Sequence, residues 1–229
     1  YAQVRDTGAL AWVDVSTGDF HISECSPVML PPLLARLSPR ELLVAASIEE
    51  AMTPLAADAN AVLTPLSAAS FDSTNAEARL KELFGVSALD AFGQFGRAEL
   101  AAMGGLVAYL DLTQRGKLPL LRPPLRESMG KAMQIDAATR RNLELTRALS
   151  GGREGSLLAA IDRTLTGAGA RLLETRLKAP STDLGSIQAR QAALGYFVEN
   201  RSLADDLRGL LRRMPDIERA LSRLMLDRG

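Results

Sequence analysis

The residues able to do chemistry in this chain are few, and their spacing narrows what that chemistry could be. The only histidine, His21, and the only cysteine, Cys25, stand four apart on a stretch of strand character. That is too little for a zinc site, which needs several His or Cys ligands at defined spacing. A Ser/His/Asp arrangement could draw only on His21, and no Gly-x-Ser-x-Gly turn presents a serine. Phosphate loops are incomplete: Gly116-Lys117 and Gly130-Lys131 are each followed by an apolar residue, and Gly167-x-Gly169 meets Leu172 where a dinucleotide fingerprint takes glycine or alanine. Carboxylates remain. Asp14, Asp19, Glu24, Glu50 and Asp111 could reach one end of a small sheet. Acidic residues on a first strand and its neighbours are the kind of set that holds Mg²⁺ in phosphodiester hydrolases. Metal-assisted nucleic-acid cleavage is therefore one candidate chemistry, and solvated carboxylates at strand ends are the other.

The elements that would position these groups show two textures. Leu10-Ala11-Trp12-Val13-Asp14-Val15 and Asp19-Phe20-His21-Ile22-Ser23 flank Ser16-Thr17-Gly18, which predicts a hairpin with Phe20 and Ile22 on one face and Asp19, His21 and Ser23 on the other. A helix is expected over 28–37, entered through Pro31-Pro32, with short strands at 41–46 and 61–63. Helical periods follow over 74–83 and 97–114, the second with Leu100, Met103, Val107 and Leu110 along one stripe. Gly104-Gly105 inside that stripe costs about 1 kcal/mol per glycine, so a close packing contact is expected there. Strands alternating with helices indicate an α/β layer fold. The proline-rich segment 117–124 reads as a linker. Beyond it the pattern is helical throughout, over 137–149, 156–163 and 169–178, then from an N-cap at Ser181-Thr182-Asp183 through stripes on Ile187, Leu194 and Val198, on Leu203, Leu207 and Leu210, and on Ile217, Leu221 and Leu224. These stripes are expected to be the mutually buried faces of an all-α domain, with exposed leucines toward the C-terminus.

Composition bounds the reading. The chain has 229 residues, 47% hydrophobic, with 27 Lys+Arg against 27 Asp+Glu. So apolar and neutral a chain can fold on a real core and is not disordered. The longest run without a charge, 59–71, is interrupted by Pro65 and falls short of the ~20 residues a bilayer requires. A single cysteine gives no sign of an oxidising compartment, and with no basic-then-apolar leader at Tyr1 a cytoplasmic location is expected. Tyr1 in place of an initiator methionine, and a helical pattern running to Gly229, suggest a piece of a longer polypeptide. The halves differ in charge: residues 1–125 carry nine Lys+Arg against fourteen Asp+Glu, and residues 126–229 eighteen against thirteen. A basic half can attract polyanions, but its arginines alternate with acids as on a solvated helix face.

One run is specific. Ile135-Asp136-Ala137-Ala138-Thr139-Arg140-Arg141-Asn142-Leu143-Glu144-Leu145 resembles the signature that opens the core domain of the MutS family of DNA mismatch-repair proteins. Trp12-Val13-Asp14-Val15-Ser16-Thr17-Gly18-Asp19-Phe20 resembles the opening hairpin of that family's connector domain, and Tyr109-Leu110 with Thr113-Gln114 its final helix. Asp162-Arg163-Thr164-Leu165-Thr166-Gly167-Ala168-Gly169 and Pro215-Asp216-Ile217-Glu218-Arg219 resemble later core motifs, with Ala168 where the family usually has methionine. The resemblance implies a ribonuclease H-like connector over 1–122 followed by part of an all-α core or lever domain over 123–229. It implies a non-catalytic segment that couples mismatch binding to an ATPase. The family's Phe-x-Glu mismatch reader, its clamp and its P-loop domain have no counterpart in this sequence, so ATP and Mg²⁺ are expected elsewhere in a parent protein and no cofactor is expected here. Expected partners of the parent are mismatched double-stranded DNA, MutL and a second copy as a homodimer, with no membrane. Asp136, Thr139, Arg140, Arg141 and Asn142 are expected to anchor helices through charge-assisted hydrogen bonds, with direct phosphate contact as the alternative. Arg79, Lys81 and Glu82, expected exposed on the stretch 77–84, form a candidate MutL surface. A metal-dependent nuclease and a helical interaction module unrelated to repair remain the other readings.

Overall fold

A computed structural model describes residues 1–114 and 119–225, in two compact units: Tyr1–Met129 with Leu221–Gly229, and Gly130–Ala220. Of the predicted linker 117–124, Lys117 and Leu118 lie outside the described residues.

The first unit starts with a meander, β1 (Ala2–Val4), β2 (Thr7–Asp14) and β3 (Asp19–Glu24), antiparallel throughout. Gly18 closes the β2–β3 turn with φ +76°, a left-handed conformation that suits glycine, and its N–H donates to the Asp14 carbonyl at 2.8 Å. α1 (Leu30–Leu37) carries its prolines in the first turn, where a missing N–H costs nothing, and ends at Ser38 with φ +50°. β4 (Glu41–Ala45), α2 (Glu49–Asp58) and β5 (Val62–Leu66) form a βαβ unit with β4 and β5 parallel. α3 (Ser73–Phe84) is capped by Asp72, which accepts the Asn75 N–H at 2.8 Å, and stopped by Gly85 at φ +62°. α4 (Arg97–Thr113) follows, and β6 (Leu125–Arg126) then pairs in parallel with the far edge of β3, giving the order β1-β2-β3-β6.

The sheet is buried on both faces because β2 and β3 alternate two apolar sets. Ala9, Phe20 and Ile22 pack with Leu80 of α3 and with Ala101, Ala102, Met103, Val107 and Leu110 of α4. Leu10 and Cys25 pack with Leu30, Leu33 and Leu34 of α1 and with Leu42, Val44, Met52 and Ala56 of the βαβ unit. Full burial of side chains such as Phe20 and Ile22 stabilises by roughly 1.5–3 kcal/mol each. Gly104 and Gly105 do mark a close approach: a Cβ on Gly104 would collide with Ala76 of α3, and one on Gly105 with the Phe71 ring.

The second unit is helical: α5 (Ala137–Asn142), α6 (Leu157–Ile161), α7 (Gly167–Lys178), α8 (Leu184–Glu199), α9 (Arg201–Leu211) and α10 (Ile217–Met225), whose last residues group with the first unit. Two expectations need correction. The helix over 137–149 stops at Asn142 because Glu144 turns left-handed at φ +47° and its N–H donates to the Arg141 carbonyl. Leu145 then donates to the Arg140 carbonyl, a Schellman stop with a buried leucine after it. The leucine stripes, in turn, are not mutually buried. Leu194 and Val198 are each about two-thirds exposed, as is Leu224; Leu203, Leu207, Leu210, Ile217 and Leu221 are exposed too, and Ile187 is half-buried. The three- and four-residue spacings set the helices, yet the described residues supply no opposing face for them. Among the described residues of this unit the buried hydrophobic side chains are Ile135, Leu145 and Leu158.

Candidate functional site

The sheet's carboxylates are parted by the register of the hairpin. Asp14 faces Asp19 at the turn end, whereas Glu24 faces Ala9 five pairs away, roughly 17 Å along the strand at ~3.4 Å per residue. Asp14 is occupied locally, accepting from the Ser16 N–H at 2.8 Å and the Ser16 hydroxyl at 2.6 Å. Asp19 accepts from the Thr17 hydroxyl at 2.8 Å and from Arg122 at 3.0 Å. Among the described residues no group of three or more His, Cys, Asp or Glu is placed to share a metal ion. His21 instead stacks on Trp12, with centroids 5.3 Å apart and planes 11° from parallel, and burial pushes its pKa down. Arg36 lies over the Trp12 ring, 5.7 Å from its centroid, and forms a two-pronged pair with Glu127. Cys25 is buried, and desolvation raises its thiol to about 11, far from the thiolate a ligand or nucleophile needs. Asp14, Asp19, His21 and Cys25 are thus engaged in local bonds, pairing or packing, while Glu24 is exposed at the far end of the hairpin.

The motif from Asp136 is built as a helix entrance with an outward arm. Asp136 caps α5: it accepts the Thr139 N–H at 2.8 Å and the Thr139 hydroxyl at 2.7 Å, and these bonds hold its carboxyl below the usual range. Arg140, half-buried, donates from Nε to the Ile135 carbonyl at 2.9 Å and from Nη1 to the Lys178 carbonyl at 2.6 Å. It therefore ties the first helix of the unit to the C-terminal end of α7, thirty-eight residues on, where the last carbonyls of a helix lack intrahelical donors. Arg141 and Asn142 are exposed on α5.

The candidate partner surface differs from its expected exposure. On α3, Glu82 is exposed, but Arg79 and Lys81 are half-buried. Arg79 donates to the Gly104 carbonyl of α4 at 3.3 Å, and Lys81 pairs with Glu77 one turn back at 2.6 Å.

Two arginine centres escape a reading by motif, because their partners are distant in sequence. Arg171 of α7 forks onto Asp216 at 2.6 and 3.0 Å and onto Glu218 at 2.8 Å. The bonds from Arg171 pull the Asp216 carboxyl down to about 2, and those from Asp216 raise the Arg171 pKa. Asp216 also accepts from the Arg219 N–H at the start of α10 and sits where a Gly167 side chain would be, so the fork fixes α10 against α7. The quoted Pro215-Asp216-Ile217-Glu218 motif held the signal: two acids bracketing a helix start, with an unassigned arginine partner. In the first unit, Glu99 is buried yet accepts from the Gly96 N–H at 2.8 Å and from Arg126 at 2.9 and 2.6 Å, and Arg126 lies 5.2 Å over the Phe95 ring. Among the described residues no helix is long and apolar enough to cross a membrane.

Comparison with known proteins adds the lineage of this arrangement. Residues 2–122 match the family model of MutS domain II, and residues 138–229 that of MutS domain III. The whole chain is 62% identical to the DNA mismatch repair protein MutS of Paracoccus denitrificans, 61% to that of a Ruegeria species and 60% to that of Cereibacter sphaeroides. In each case it spans 26% of the relative's length.

Proposed function

Because the chain belongs to the MutS family of DNA mismatch-repair proteins, we propose that it is a non-catalytic coupling segment of such a repair protein. In this reading residues 1–122 are a connector of ribonuclease H-like kind and residues 123–229 the first part of the core. The parent binds mismatched double-stranded DNA as a homodimer in the cytoplasm, hydrolyses ATP with Mg²⁺ in a separate domain and recruits MutL. The antiparallel meander beside a parallel βαβ unit supports the connector reading.

The observation that carries the proposal is the pair of arginine ties in the helical unit. Arg140 bridges thirty-eight residues to α7, and Arg171 bridges forty-five and forty-seven residues to the entrance of α10. A body in which successive helices are fixed by directional, charge-assisted bonds moves as a piece and can pass on a rotation. Coupling between distant sites is typically 1–3 kcal/mol, which a few such bonds suffice to set. In the full-length protein, Arg140→Ala should reduce mismatch stimulation of ATP hydrolysis while leaving the basal rate and the salt dependence of DNA binding unchanged. A flatter salt dependence would instead place Arg140 on a phosphate.

MutL recruitment is assigned to the connector, with Arg79, Lys81 and Glu82 as the first surface to test. Glu82→Lys is the cleanest probe, since Glu82 is exposed while its two neighbours have structural partners. MutL binding unchanged by Glu82→Lys and by reversal of Lys81 would remove this surface.

A further inference from the structure

We propose that Arg208 and Arg171 together clasp the bend between α9 and the entrance of α10, and that Arg208 is a positioning residue for the coupling assigned to the helical unit. The inference deepens the coupling reading and rests on it. The bend 212–215 holds itself with short-range backbone bonds, from the Arg213 N–H to the Leu210 carbonyl at 3.0 Å and from the Met214 N–H to the Leu211 carbonyl at 3.1 Å, and Pro215 has no N–H to add. It is gripped from outside at both ends. On the α9 side Arg208 donates through Nη1 and Nη2 to the Arg163 carbonyl at 3.4 and 3.3 Å. On the α10 side stands the Arg171 fork on Asp216 and Glu218. The Arg208–Arg163 and Arg171–Asp216 contacts each span forty-five residues, so the chain from 163 to 171 is joined to that from 208 to 216 at each end and in the same direction.

The stretch 163–171 is a firm bracket for that bend. Asp162 accepts the Thr164 N–H at 2.9 Å and the Thr164 hydroxyl at 2.6 Å and pairs with Arg153, so the turn that presents the Arg163 carbonyl is itself fixed. The Asp162 N–H donates to the carbonyl of buried Leu158 at 3.0 Å, which roots the turn on α6. Thr166 then caps α7 by accepting the Gly169 N–H at 3.0 Å, and Arg171 follows in the second turn of that helix. The two contacts differ in strength. Arg171 makes a forked ion pair with half-buried carboxylates, whereas Arg208 makes long bonds to a neutral oxygen, and among the described residues no carboxylate lies within ion-pair distance of it. One anchor leaves a bend free to swing about it; two anchors fix its angle. The weaker contact therefore has a geometric role larger than its share of stability.

The factor by which ATP changes mismatch affinity in the full-length protein tests the clasp. Arg208→Met keeps the aliphatic stem and removes the donors. It should lower that factor about two- to fivefold, with the mismatch affinity without nucleotide, the basal rate of ATP hydrolysis and the melting temperature unchanged. Arg208→Gln should lower the factor to a similar degree and covers the case in which Arg208→Met fails to fold. Arg208→Lys, which retains a charged donor, should recover most of the loss. Combining Arg208→Met with Arg171→Lys should lower the factor by less than the product of the two single losses, because both contacts act on one bend. A factor untouched by Arg208→Met, a loss accompanied by a lower melting temperature or a weaker nucleotide-free affinity, or single losses that simply multiply would overturn the clasp. Failure of the coupling reading would show separately, since Arg171→Ala would then leave the factor unchanged as well.

Discussion

The sheet-based unit and the helical unit are held together by different forces. The first buries two apolar clusters, one on each face of a meander whose strands alternate suitable residues. The second buries Ile135, Leu145 and Leu158 among its described residues and otherwise relies on caps and arginine forks: Asp136, Ser156, Thr166 and Asp183 each cap a helix, and Arg140 and Arg171 cross between helices. Hydrophobic burial is non-directional and makes a unit stable by itself; directional bonds fix geometry but add little net stability. The contrast leaves the first unit with its own apolar core and the second with apolar helix faces that nothing among the described residues covers.

Core truncation should break the symmetry between the units most strongly. Phe20→Ala in the first unit should cost about 3–5 kcal/mol, whereas Leu194→Ala on the exposed face of α8 should stay within about 0.5 kcal/mol. Denaturant titration of the 1–229 chain followed by Trp12 fluorescence and by circular dichroism would measure both, and equal costs would erase the distinction. A smaller effect should come from overfilling the first unit. Gly104→Ala should destabilise it by about 1–3 kcal/mol net of helix propensity, because the new methyl meets the Ala76 methyl rather than a yielding side chain. A neutral or stabilising result would mean that α3 and α4 can separate without cost. The smallest effect concerns acid. The Arg171 bonds hold Asp216 at about 2, below its ordinary value near 4, so the stability they contribute is present above about pH 4 and lost as pH falls toward 2. The urea midpoint of the helical unit should fall over that window, and Asp216→Asn should remove this part of the dependence.

Much of the first unit was readable because its signals are local. The alternation around Ser16-Thr17-Gly18, the prolines opening α1 and the helical period of 97–114 each correspond to an observed element, and Gly104-Gly105 announced the close approach of α3. What escaped notice depends on distant partners. Residues 119–124 read as a linker from their prolines, yet Arg122 reaches Asp19 across a hundred residues of chain and Leu121 is buried. The stop after Asn142 rests on a glutamate in the left-handed region, where glycine or asparagine would have been the visible sign. Leucine stripes at helical spacing establish which face is apolar but not whether anything covers it. The motif from Asp136 was legible as a capped helix start; that Arg140 would end on the Lys178 carbonyl was not.

The central claim is that the helical unit transmits a change without performing chemistry, and its most direct test is the effect of ATP on mismatch affinity. In the full-length protein this factor should lie on the order of 5–150-fold, the usual range of coupling between sites. Arg171→Ala should bring it close to one while leaving mismatch affinity without nucleotide nearly unchanged. A factor untouched by Arg171→Ala would contradict the account.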